Sequence, residues 1–170
     1  MLKVSRILRW ISLAFLFGGS ASIVYVAVSL LIFAQAHGIA GEVAAAVNAP
    51  LFFQYTKLVV IAAFALLIAE SMDFASHRSP SKLERTRYVT SMLCAAAIMI
   101  FAFGLVPPMK KMSQLFVARP AMFMLNPAIR ERFRQYHETA RILFGASVLL
   151  ALTSIVLPAF DSVETTRAKA

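Results

Sequence analysis

Residues 7–34 read ILRWISLAFLFGGSASIVYVAVSLLIFA, and Arg9 is their only charged side chain. A helix crosses the hydrocarbon core of a bilayer with about 20 apolar residues. This stretch is therefore long enough to span and to tilt. The preceding MLKVSR is basic, like the start of a signal peptide, and Gly19-Ser20-Ala21 has the small residues of a cleavage site. The apolar run continues well past Ala21, which favours an uncleaved anchor.

Three further spans follow, at residues 52–72 (core LVVIAAFALLIAE), 88–106 and 142–159. Pro50 suits the first turn of the second helix. Residues 41–47 suit a short interfacial helix before it. Pro107-Pro108 ends the third span, because a helix interior tolerates proline poorly. Residues 127–141, PAIRERFRQYHETAR, form a polar helical lead-in to the fourth span, with Pro127 at its first position. The tail over residues 160–170 is short and polar, and is expected to fray.

The fold class is all-α: a polytopic four-transmembrane-helix bundle in one membrane domain. Composition agrees. Of 170 residues, 60% are hydrophobic and 15% charged, against about 25% charged in soluble domains. No alternating barrel pattern is present, and lipid leaves only helices or closed barrels as spanning structures. The net charge is +9. With the basic residues set between apolar spans, anionic lipid headgroups are the expected counterpart. No nucleic-acid-binding signature accompanies that charge. The lone Cys94 excludes an internal disulfide.

Short basic loops mark the cytoplasmic side. Lys3, Arg6 and Arg9, an uncharged-to-acidic first loop, and Arg78, Lys82, Arg85 and Arg87 in the second loop agree on the N-terminus inside, and four spans then put both termini inside. The third loop opposes this with Lys110, Lys111, Arg119, Arg130, Arg132 and Arg134. The N-terminal segments outweigh it, since the long third loop can carry its charge on extended helices.

Four groups of side chains are candidates for chemistry or packing. Ala14, Gly18 and Ser22, with Gly19, form a small-residue stripe that suits close helix packing or a homodimer seam. Glu70, Asp73 and His77 share one helix face, where two carboxylates and an imidazole can bind a cation or relay a proton. The bland alternative is an interfacial cluster that simply meets water and lipid headgroups, and the basic segment from Arg78 to Arg87 is a further candidate partner for it. Arg134, His137, Glu138 and Arg141 share a face of the lead-in, with ordinary ion-pair spacing. Lys57 lies about 20 Å from Glu70 along the same helix, and is expected to snorkel to the interface. Methionines and Cys94 would suit Cu(I). Yet Met109 and Met112 make the only tight pair, and apolar spans use methionine as filler. HExxH, GxSxG, P-loop and Rossmann patterns are absent. The three histidines fall in separate segments, which disfavours a bis-histidine haem. An enzyme is not expected, and no cofactor is implied.

The order of features resembles the bacterial family called domain of unknown function 4149, which is similar to eukaryotic transmembrane protein 205. The resemblance rests on Gly18-Gly19, on AGEVAAAVNAPLFFQYTKL leading into the second span, on VPPMKKMSQ after the third, and on Phe133-Arg134-Gln135-Tyr136-His137 before the fourth. Two positions depart from the family pattern: Tyr136 replaces a usual Leu, and Ala140 an expected Ser. The resemblance implies four spans, a bacterial inner (plasma) membrane, and Gly19, Pro107, Phe133 and His137 as family positions. The eukaryotic relative's link to platinum-drug resistance hints at transport of soft-metal compounds. Two functions are therefore expected to compete: a small permease for a small solute or metal compound, or a structural or accessory subunit of a larger membrane complex.

Overall fold

A computed structural model describes residues 2–39, 41–76, 80–119, 122 and 125–167. Among them all regular structure is helical. Helix α1 (Leu2–Ala14) passes through a π turn at Phe15–Gly19 into α2 (Ser20–Ala36). Helix α3 spans Gly41–Ser76. Helix α4 (Lys82–Met99) passes through a second π turn at Ile100–Leu105 into α5 (Val106–Ala118), and α6 spans Pro127–Arg167. Four continuous helical stretches are long and apolar enough to cross a membrane.

Local chemistry explains the helix ends. Gly38, at φ +69°, closes the turn after α2, a backbone state that costs glycine little. Ser81 and Glu84 form a reciprocal capping box at the start of α4 (Glu84 N to Ser81 Oγ 3.1 Å, Ser81 N to Glu84 Oε2 2.8 Å). Asn126 Oδ1 accepts from the backbone N–H groups of Ala128 and Ile129 at 3.1 and 3.3 Å, just before Pro127 opens α6.

Three sequence expectations differ from the structure. The third helix crosses Pro107-Pro108 and runs on to Ala118. The wide turn before it supplies the reason. Val106 N–H bonds Phe101 O, five residues back, so the backbone is already expanded where a proline ring would strike the carbonyl four residues back. Pro50 is inside α3, because the alanine-rich segment from Gly41 extends the helix upstream as one piece. The C-terminal segment stays helical to Arg167; no Gly or Pro follows Pro158 to stop it.

The core is built for close approach. Ala62, Ala63, Ala95 and Ala151 are buried among Leu13, Leu16, Val59, Leu66, Cys94 and Ile98. Small side chains let helices pack where lipid offers no hydrophobic driving force between them. A second cluster joins Ile23, Phe101, Ala140 and Phe144.

Tyr55 of α3 ties the first helix to the bundle. Its hydroxyl donates to Phe15 O at 3.2 Å and lies 3.2 Å from Ser20 Oγ. A Cβ on Gly19 would meet that hydroxyl at 2.6 Å, whereas one on Gly18 would meet nothing within 4 Å. Gly19→Ala is expected to destabilise the protein by about 1–3 kcal/mol, the usual cost of overpacking, and Gly18→Ala to leave it unchanged. Tyr55→Phe should partly relieve the Gly19→Ala defect. Thermal melts of the detergent-purified variants read all three.

Candidate functional site

Glu70 and Asp73 lie one turn apart near the end of α3, and both are buried, at 1% and 2% exposure. Two guanidiniums face them. Arg87 of α4 pairs with Asp73 and also reaches Glu70 Oε2 at 3.3 Å. Arg9 of α1 donates to Asp73 Oδ2 at 3.0 Å. Arg9 and Arg87 are themselves only 5% and 7% exposed. Two positive and two negative charges thus meet inside the bundle and cancel.

Chain geometry explains the meeting. α1 enters, α3 ends and α4 begins at the same end of the bundle. At 1.5 Å per residue the members of the cluster are about 5–10 Å inside those three helix ends. The Arg87 guanidinium also lies over the Tyr88 ring, 4.6 Å from its centroid, a cation–π contact. Phe74 packs edge-on against Tyr88 at 5.2 Å. These rings help to keep Arg87 turned inward.

A hydroxyl seam continues from the carboxylates into the α4–α6 contact. Ser91 Oγ donates to Glu70 Oε1 at 2.9 Å and lies 3.2 Å from Ser154 Oγ. Thr90 Oγ1 is 2.9 Å from Ser154 Oγ. Farther along, Cys94 Sγ donates to Ser147 O at 3.3 Å. All four helical stretches therefore contribute to one polar assembly or its extension. Arg87 Nε has no hydrogen-bond partner among the described residues. A hollow of about 30 Å³, lined by Leu83, Glu84, Arg87, Leu157 and Pro158, adjoins the cluster, and that is room for a water.

The other candidates stand apart from this cluster. His77 lies outside the described residues. On α6, Arg134 pairs with Glu131 at 2.8 Å and with Glu138 at 3.4 Å, all three well exposed. Water screens exposed pairs of this kind, so they add little to stability. Arg141 and His137 are exposed as well, and the His137 ring stacks on Phe133 at 6.2 Å. From Arg134 to Ser154 is about 30 Å along the helix, so the two polar groups occupy opposite ends of the bundle. Ala14 and Ser22 are exposed and Gly18 is half-buried; of the two glycines, Gly19 is the one at which a Cβ would meet a neighbouring helix. Pro107 is exposed near the start of α5. Among the described residues no three His, Cys, Asp or Glu side chains converge on a point suited to a metal. Met99 and Met109 pack against different core clusters.

From the sequence, Arg9 reads only as a topology signal. Its phase could have revealed it. Ser5, Arg9, Ser12, Leu16, Ser20 and Ile23 recur at intervals of three and four and are all buried, so Arg9 is on the inward stripe.

No family model matches the chain, and neither a curated protein nor a solved structure matches it. The site must be understood from its own chemistry.

Removing one member of a buried charge group leaves its partner uncompensated, which costs about 3–5 kcal/mol. Arg87→Met strips an ion pair from both carboxylates, and is expected to lose that much. Arg9→Met strips one contact and should lose less. The order of the two midpoints in chemical or thermal unfolding checks this.

Proposed function

We propose that this chain is a small membrane transport protein, and that the Arg9–Glu70–Asp73–Arg87 cluster is the gate at one face of its bundle. The observation that carries this reading is the burial of four mutually cancelling charges at a junction of three helices. An ionisable group in a spanning segment is costly and marks function by default. Ion pairs between helices also form a contact with two discrete states: closed when paired, open when water replaces the partner. The hydroxyl seam through Ser91 and Ser154 gives such an opening a polar continuation inward. In this reading both termini face the cytoplasm, as the N-terminal charge bias favours. The basic residues of the far end sit on the extended helices α5 and α6. The transported species is a small solute or a soft-metal compound.

The gate is tested by thiol accessibility. In a Cys94→Ala background, Ser154→Cys places a thiol just behind the cluster. Adding Asp73→Asn weakens the pairing to both arginines. Labelling of residue 154 by a small membrane-impermeant thiol reagent is expected to rise about tenfold or more, as one lost charge-assisted contact would allow. Unchanged labelling in a folded, correctly inserted variant would remove the gating role.

A second reading has its own support. Gly18 has open space at its Cβ position, and Ala14 and Ser22 beside it are exposed. A partner helix could settle on that face, as an accessory subunit or homodimer requires. Purification in mild detergent followed by mass analysis separates the readings: a lone chain under conditions that preserve membrane complexes counts against this one.

A further inference from the structure

Beyond Ile23 the first helix has an exposed stretch that ends at Ala34, which is 5% exposed. From Val24 to Phe33 no residue is buried, while Ile23 itself is 8% exposed. Tyr55 fills the angle where α2 and α3 part, held there by its bonds to Phe15 O and Ser20 Oγ. Past it a cleft of about 400 Å³ opens, lined by Ile23, Leu51, Gln54, Tyr55, Lys57 and Leu58. Leu51, Gln54, Tyr55 and Leu58 fall on one face of α3 by spacing. Lys57 adds a full positive charge at the rim, with no carboxylate partner among the described residues.

Depth gives the lysine its meaning. Lys57 to Ser76 is about 28 Å at helical rise, close to the hydrocarbon thickness of about 30 Å. When the Ser76 end of α3 sits at one headgroup layer, Lys57 sits at the other. There a cation, an amide three residues away and apolar walls meet beside the bilayer. We infer that this cleft is a binding site for one anionic phospholipid. Its phosphate would pair with Lys57 and accept from Gln54, with Ile23 and Leu51 on its headgroup side, and an acyl chain would run inward from Leu58. Charge complementarity selects the anionic lipid over a zwitterionic one, in which a choline cation would meet Lys57. The site does not depend on the gate at the other end of the bundle.

Native mass spectrometry of the full chain, released from detergent after titration with phosphatidylglycerol, phosphatidylcholine or oleate, tests the assignment. The expected result is one tightly retained phosphatidylglycerol per chain. Lys57→Met should weaken its retention about tenfold, the scale of one charge-assisted contact, and Lys57→Arg should keep most of it. Leu58→Trp, which fills the cleft and leaves the charge, should weaken it as well. The pair Lys110→Met and Lys111→Met, on α5, should leave that lipid in place. Unfolding midpoints matching wild type qualify each variant. Undiminished retention in Lys57→Met, equal retention of phosphatidylcholine, or displacement of phosphatidylglycerol by equimolar oleate would each overturn the proposal.

Discussion

Taking a charged side chain out of water costs several kcal/mol even after relaxation, and that cost is recovered only by an opposite charge in good geometry. Arg9, Glu70, Asp73 and Arg87 are all held inside the bundle, so each depends on the other three. The requirement reaches far beyond the side chains. It sets the rotation of α1 that turns Arg9 inward. It sets the register of α3, whose last turns must present two carboxylates to one arginine. It also sets the approach of α4, whose capping box at Ser81 and Glu84 starts the helix five residues before Arg87. A bundle of featureless apolar helices could slide or rotate at little cost. This one has a single arrangement in which four charges cancel.

The two ends of the bundle are consequently unlike. At one end, α1, α3 and α4 close on the ion cluster, and Ser91 and Ser154 extend it toward α6. At the other, α2 and α3 leave a cleft between them, and the basic residues sit on exposed helical surface. The π turns at Phe15–Gly19 and Ile100–Leu105 lie between these regimes. Each supplies an expanded turn where the helix must accommodate something: Tyr55 against Gly19 in the first, the proline pair after the second. Such turns are common at functional sites because they let one helix carry two faces that do not share a phase.

Most of the architecture was legible in the sequence, because bilayer crossing demands long apolar runs that nothing else explains. Four spans and the lead-in helix from Pro127 follow from that demand and from proline and Asn126 capping. Helix ends were less legible. Pro107-Pro108 reads as a stop, and only the π turn, which has no clear sequence mark, shows why it is not one. The carboxylate pair Glu70 and Asp73 was visible through helical spacing, and Arg87 was among the basic residues beyond it. Arg9 was not, because a charge near an N-terminus reads first as a topology signal. The depth at which a helix end stops being interface and starts being interior depends on how its neighbours pack. Single-helix periodicity carries only part of that: it gives the stripe Ser5, Arg9, Ser12, Leu16, but not what faces it. The polar set around Arg134 shows the converse, since the same spacing rules describe a cluster that stays on the surface.

Because the cluster is taken as the constraint that fixes the bundle, its members must be energetically coupled and not merely adjacent. A double-mutant cycle on Arg87→Met and Asp73→Met, read by equilibrium unfolding in detergent, measures that coupling directly. The double variant should be less destabilised than the sum of the single variants by about 1–3 kcal/mol, the range of contacting residues in one network. Additivity within about 0.5 kcal/mol, the behaviour of independent sites, would contradict the account.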